Sequence, residues 1–308
     1  MGLTVDFIGP ALVRAGLFSA MMVMVGAAAF RLVILPRCAL PEPGAAAFRE
    51  RAEELSATAG LGAALALVPL VGLTLLLQAL EFRDPFDPMG PQVRLLLTAT
   101  LWGRVWQVQS ALVVGAVVAY AACRSKRNPL SWIAAGLVTL GVAATPALSG
   151  HSMAAERLLP VALAADALHV VAAGTWLGGL GALVVAFVMR PPDSGAAGRV
   201  LAALVAGFSP VALAAASLLA LSGVFAAWLH LGELGLLWTS GYGRTLLAKL
   251  AVVGAVAMVG AYNWKRMTPR LTDPGGVQRF VTGPARWELA LGLMVLLITA
   301  VLVAAPLP

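Results

Sequence analysis

The chain has 308 residues, of which 60% are hydrophobic and only 11% are charged. A soluble domain usually carries about 25% charged residues, so this composition excludes a soluble enzyme, a nucleic-acid-binding domain and a disordered chain. The net charge of +7 does not indicate nucleic acid as a partner, because the basic residues lie in short segments between apolar runs and form no basic face with interleaved aromatic residues. A polytopic membrane protein remains.

Eight apolar runs are long enough to cross a membrane, since a spanning helix needs about 20 apolar residues. The runs are continuous and rich in Ala and Leu, which favours helices over the alternating pattern of membrane strands. We therefore predict an all-α polytopic membrane protein with eight transmembrane helices, and a short interfacial helix in the loop 36–56. The predicted spans are 15–30 (extending to 35), 57–80, 105–123, 130–150, 167–189, 200–229, 250–264 with a start near Arg244, and 289 to the C-terminus.

The basic residues divide unequally between the two sets of loops. One set holds 14 of them: Arg31, Arg37, Arg49, Arg51, Arg124, Lys126, Arg127, Arg190, Arg199, Lys265, Arg266, Arg270, Arg279 and Arg286. The other set holds seven: Arg14, Arg83, Arg94, Arg104, Arg157, Arg244 and Lys249. Because cytoplasmic loops carry the excess of Lys and Arg, and eight spans place both termini on one side, we predict that both termini are periplasmic.

Two segments of the chain resemble each other. Residues 96–104 (LLTATLWGR) lead into the third span and residues 236–244 (LLWTSGYGR) lead into the seventh, and both spans continue into Val-Val-Gly-Ala. Parallel repeats of this kind occur in transport proteins. We predict two four-helix halves, residues 1–150 and 151–308, although helices rich in Ala, Val and Leu also resemble one another by composition alone.

All three histidines of the chain are placed by this topology at the outer ends of helices. Asp166 and His169 are three residues apart and share a helix face, and His151 is followed two residues later by Met153. Imidazole, thioether and carboxylate together suit copper better than magnesium or calcium. The predicted metal site consists of His151, His169, Met153, Asp166 and His230.

Other interpretations of these residues stay open. His151 and His230 are also typical of solvated loop histidines, and His169 of a hydrogen-bonded packing histidine. Asp166 could orient the His169 ring instead of binding metal. The three methionines Met21, Met22 and Met24 could offer soft ligands, although such clusters usually fill gaps in the apolar packing.

Several segments carry a resemblance to a known family. Residues 166–180 (DALHVVAAGTWLGGL) resemble a signature of the copper resistance protein D (CopD) family, and residues 149–153 (SGHSM) are similar to its preceding loop. Ser222-Gly223, residues 242–249 (YGRTLLAK) and Asn263 resemble a further stretch of that family. The resemblance implies an eight-span bacterial inner-membrane protein associated with copper movement from periplasm to cytoplasm, often working with a periplasmic copper-binding CopC protein.

Together these observations predict a copper transport or handling protein of the bacterial inner membrane. It would not be an enzyme, it would have no catalytic residues, and its ligand would be copper as Cu(I) or Cu(II). Its partners would be membrane lipids and a CopC-like periplasmic copper chaperone. Two other functions stay open: an oxidoreductase with one b-type haem or a quinone, and a copper-binding docking or assembly partner that does not transport.

Overall fold

The computed structural model describes residues 5–41, 44–126, 128–149, 158–189, 197–231, 233–271, 273, 279–280 and 283–304. Within these residues the chain is helical and contains no strand. The α-helices are Val5–Ala29, Ala45–Glu81, Met89–Ala99, Leu101–Lys126, Pro129–Ala144, Leu159–Ala173, Gly179–Met189, Ala197–Leu231, Leu236–Thr239, Gly241–Tyr262 and Pro284–Ala304. Wider π-helical turns are Phe30–Ile34, Gly174–Gly178 and Asn263–Met267, and 3₁₀ turns are Leu35–Arg37, Thr145–Leu148 and Thr268–Arg270.

Eight helical segments in the described residues are long and apolar enough to cross a membrane, which confirms the predicted number. In chain order, spans 1 to 8 are Gly9–Arg37, Ala45–Glu81, Leu101–Ser125, Pro129–Leu148, Leu159–Val188, Ala197–Leu229, Gly241–Arg270 and Ala285–Val303. All eight begin earlier than predicted, mainly because a boundary drawn from hydropathy stops at a charged residue. Span 8 therefore includes Glu288, which the predicted boundary at residue 289 leaves outside, and span 7 includes Lys249, which the prediction counted with the loop charges.

The predicted interfacial helix in the loop 36–56 is wrong. Residues from Ala45 onward are the first turns of one 37-residue helix that continues as span 2. One acidic side chain of this part pairs with span 1, since Arg31 Nε lies 2.8 Å from Glu53 Oε1. The Arg31 guanidinium also lies over the Trp132 ring, 5.7 Å from its centroid. Arg31 thus links spans 1, 2 and 4 at the end predicted to face the cytoplasm.

Span 1 is the most buried of the eight spans. It packs against spans 2, 4, 5 and 8 and forms the centre of the bundle. Met21, Met22 and Met24 lie in its core with 1%, 4% and 0% of their surface exposed. These methionines are packing residues in the centre of the bundle, which is the second of their two predicted roles.

A fully buried tyrosine connects three spans. The Tyr120 hydroxyl of span 3 lies 2.9 Å from the Met24 carbonyl oxygen of span 1, to which it donates, and 3.0 Å from Thr139 Oγ1 of span 4. Its ring lies edge-on to Trp132, with 6.2 Å between the centroids. The ring also occupies the space that a Cβ on Gly60 of span 2 would need.

We expect Tyr120→Phe to destabilise the protein by about 1–3 kcal/mol, because it leaves the Met24 carbonyl group buried without this donor. The melting temperature in detergent, followed by tryptophan fluorescence, measures the effect. Tyr262→Phe is the matched control, since Tyr262 is 53% exposed. An unchanged melting temperature for the Tyr120 variant would show that the hydrogen bond contributes nothing.

The two similar sequence segments have the same local geometry. In each, a short helix ends at an extended residue, Thr100 or Ser240, and a spanning helix begins directly after it. The backbone N–H of Gly103 donates to Thr100 Oγ1 at 2.9 Å, and that of Gly243 donates to Ser240 Oγ at 2.9 Å. Each hydroxyl also donates to the carbonyl group four residues earlier, which a Cβ on the glycine would overlap. The sequence similarity thus corresponds to one corner, built twice, at the entry of spans 3 and 7.

Candidate functional site

Two of the five predicted ligands have side chains that the structure describes. Asp166 and His169 both lie in the helix Leu159–Ala173 of span 5, on one face as their spacing predicts. His151 and Met153 lie outside the described residues. The backbone of His230 lies at the end of the helix Ala197–Leu231, but its side chain is outside the described part. Within that part, no three His, Cys, Asp or Glu side chains come together.

The His169 ring is oriented by a serine on the next span. His169 Nδ1 lies 2.8 Å from Ser222 Oγ of span 6. The Ser222 hydroxyl proton is already donated to the Leu218 carbonyl oxygen at 2.6 Å, so the hydroxyl oxygen accepts from His169 Nδ1–H. A neutral ring with its proton on Nδ1 has a free lone pair on Nε2, and no described residue forms a hydrogen bond to that nitrogen. This is the tautomer in which a histidine binds a metal through Nε2.

The backbone of span 6 lies close to the His169 ring at Gly223. A Cβ added to Gly223 would lie 3.7 Å from His169 Cε1, so the backbone of span 6 lies close beside the ring. Small residues allow membrane helices to approach in this way. Ser222 therefore orients the ring by a hydrogen bond, and the backbone at Gly223 lies beside it.

Lys249 and Tyr242 of span 7 complete the surroundings of Asp166 and His169. The charge of Lys249 interacts with that of Asp166 and with the His169 ring. The buried Tyr242, two turns before Lys249 on the same span, is also within range of the Asp166 charge. A lysine alone would repel a metal cation from His169. Asp166 carries the opposite charge and so reduces this repulsion.

Sequence reasoning missed Ser222, Tyr242 and Lys249 as site residues, although all three stand in the segments that carry the family resemblance. It counted Lys249 among the loop charges, whereas the structure places it inside span 7. The available signal was the cost of a charge at membrane depth, which makes an intramembrane lysine a functional candidate by default.

Most of the chain matches descriptions of one family. Residues 5–160, about half of the chain, match the copper resistance protein D-like N-terminal domain. Residues 202–302 match copper resistance protein D. The chain belongs to the copper resistance protein D family. In this CopD-family protein, Ser222, Tyr242 and Lys249 fall within the second match, whereas Asp166 and His169 lie between the two matches.

Two curated relatives of this CopD-family protein are known from bacteria. It is 30% identical to the copper transport protein CutJ of Bacillus subtilis (strain 168) over 221 residues, a match that covers 70% of this chain and 39% of that protein. It is 29% identical to copper resistance protein D of Pseudomonas syringae pv. tomato over 262 residues, covering 83% of this chain and 81% of that protein. The chain thus spans about two fifths of the length of the first relative. No solved structure matches it.

Proposed function

We propose that this protein transports copper across the bacterial inner membrane, from periplasm to cytoplasm, and that Nε2 of His169 is a ligand of the copper ion on its way. The observation that carries the proposal is the hydrogen bond between His169 Nδ1 and Ser222 Oγ. It leaves the metal-binding nitrogen free inside a polar cluster that three spans form. Copper as the cargo is supported by the names of the family and of both relatives.

The remaining ligands are proposed from the sequence. His151, Met153 and His230 are placed by the predicted topology at the same outer end of the bundle as His169. Together with Asp166 they provide imidazole, thioether and carboxylate donors, a set that suits copper. We propose that a separate periplasmic copper protein of the CopC type delivers the ion to this end.

The proposed arrangement has two parallel four-helix halves, residues 1–150 and 151–308, with both termini in the periplasm. The matching corners at Thr100 and Ser240 support the duplication, because the same hydroxyl and glycine contacts recur at both. The excess of basic residues in one set of loops supports the orientation. In this arrangement the cluster around His169 lies on the periplasmic side of the membrane.

Uptake into reconstituted liposomes tests transport directly. We expect copper to accumulate inside liposomes that contain the protein, well above the level in protein-free liposomes, when the periplasmic side faces outward. Elemental analysis of washed vesicles over time measures it. Manganese, which prefers oxygen ligands, serves as the control cation and should not accumulate.

Two results would replace transport by another function. Copper that binds to the protein without entering the lumen would indicate a docking or assembly partner. A haem absorption band in the purified protein would indicate an oxidoreductase, with His169 as an axial ligand. The proposal that the protein is not an enzyme requires that neither haem nor redox turnover is found.

A further inference from the structure

A second polar pair lies between spans 7 and 8, away from His169. Glu288 is 8% exposed, the lowest value of any charged residue that the structure describes, and Asn263 beside it is 7% exposed. The Glu288 carboxylate lies near the Asn263 amide. Gly260, one turn before Asn263, leaves room for the carboxylate, because a Cβ at that position would lie 2.9 Å from Glu288 Oε1.

The packing does not satisfy this pair. Neither the oxygen nor the nitrogen of the Asn263 amide has a hydrogen-bond partner of good geometry within the described residues. Glu288 forms no ion pair in that part of the chain either, where the one salt bridge is between Arg31 and Glu53. Burying a carboxylate beside an amide, with no cation paired to it among the described residues, is costly. A pair that is kept at this cost, between two membrane spans, is a candidate for binding a ligand.

The backbone at Asn263 is also irregular. The α-helix of span 7 ends at Tyr262, and Asn263 begins the π-helical turn Asn263–Met267. Such turns widen the helix locally and are frequent at functional sites. The irregular turn thus begins at the residue whose amide lies near Glu288.

The pair lies at the opposite end of span 7 from the His169 cluster. Lys249 and Asn263 are 14 residues apart on one helix, which corresponds to about 21 Å of the roughly 30 Å hydrocarbon thickness. Tyr262, Trp264 and Trp287 around the pair are 53%, 64% and 65% exposed, as expected for aromatic residues at a membrane interface. Glu288 and Asn263 therefore lie near the interface that is predicted to face the cytoplasm.

We infer that Glu288 and Asn263 form a second, inner binding site for the transported copper ion, from which the ion leaves toward the cytoplasm; this inference rests on the proposed transport function. Its donors are carboxylate and amide oxygens, which bind copper more weakly than the imidazole of His169. A conducting protein needs sites that bind firmly enough for entry and weakly enough for release. A nitrogen donor at the outer end of the bundle and oxygen donors at the inner end would hold the ion more firmly at entry than at release.

Glu288→Gln removes the charge and keeps the shape. We expect it to lower the rate of copper uptake into liposomes about tenfold or more, because contacts to a charged group are stronger than those to a neutral one. Copper binding at the His169 site, measured by titration of the purified protein against a chromophoric chelator, should stay unchanged. Glu54→Gln is the matched control, since Glu54 is exposed on span 2.

Asn263→Leu separates binding from packing, since it replaces an unsatisfied amide by an apolar side chain of similar size. We expect a melting temperature at or above that of the wild type together with slower uptake. Unchanged uptake in both variants would overturn the inner site. Loss of copper binding at His169 in the Glu288→Gln protein would also overturn it, because Glu288 would then have a structural role. A wild-type protein that binds copper but never takes it up would instead refute the transport function.

Discussion

A His169→Ala variant is expected to lose copper affinity by more than about 100-fold, since even partners that only orient a ligating histidine are worth 10- to 100-fold. The variant removes the one described imidazole that has a free Nε2 in a buried polar cluster. It leaves Asp166 and Lys249, which carry opposite charges, so that the pair attracts a cation less than a carboxylate alone would. Titration of copper against a chromophoric chelator, with the purified protein in detergent, measures the affinity. Wild-type affinity in this variant would remove His169 from the site.

Ser222 provides a graded test of the same geometry. Ser222→Ala removes the acceptor that keeps the ring proton on Nδ1, so we expect a 10- to 100-fold loss of copper affinity. Ser222→Thr retains the hydroxyl and should keep most of the wild-type affinity. Ser217→Ala is the matched control, since Ser217 lies on the same helix and its hydroxyl also donates to the carbonyl group four residues earlier. If Ser222→Ala binds copper normally while His169→Ala does not, the tautomer argument is wrong but the ligand is right.

The sequence was sufficient for features that depend on neighbouring residues. Eight spans follow from runs of apolar residues, and the common face of Asp166 and His169 follows from the helical repeat. The corners at Thr100 and Ser240 correspond to similar sequences, because each corner is built by a hydroxyl residue and a glycine three residues later. All of these depend on contacts within a few residues along the chain.

Contacts between spans could not be predicted in the same way. Ser222 is 53 residues away from His169, and no local pattern indicates which spans lie side by side. Boundaries drawn from hydropathy moreover exclude charged residues from the membrane. For this reason Lys249 was counted in a loop and Glu288 fell one residue before the predicted start of span 8, although both lie inside spans that bury them. The charged residues that matter most for the proposed sites were therefore the ones that hydropathy assigned to loops.

The position of span 5, and with it of His169, depends on a glycine contact with span 1. A Cβ on Gly178 would overlap the Met22 carbonyl oxygen and lie 2.9 Å from Gly26 Cα, and a Cβ on Gly26 would overlap the backbone of Gly178. One turn earlier, a Cβ on Gly174 would lie 2.5 Å from Val25 Cβ. Gly174–Gly178 is also a π-helical turn. The GxxxG pattern of span 5 is thus the surface on which two membrane helices touch backbone to backbone.

Gly178→Ala is therefore expected to destabilise the protein by about 3 kcal/mol or more, at the upper end of what extra methyl groups cost in a packed core. The overlapping atoms belong to the backbone of span 1, so no side chain can rotate away to relieve the clash. The yield of monodisperse protein on size-exclusion chromatography and its melting temperature measure the effect. Gly62→Ala on span 2 is the matched control, because no atom lies within 4 Å of a Cβ there and alanine favours a helix by about 1 kcal/mol.

Equal stability of the Gly178 and Gly62 variants would show that spans 1 and 5 do not meet at this contact. Lower copper affinity in whatever Gly178 variant still folds would show that this contact also positions His169.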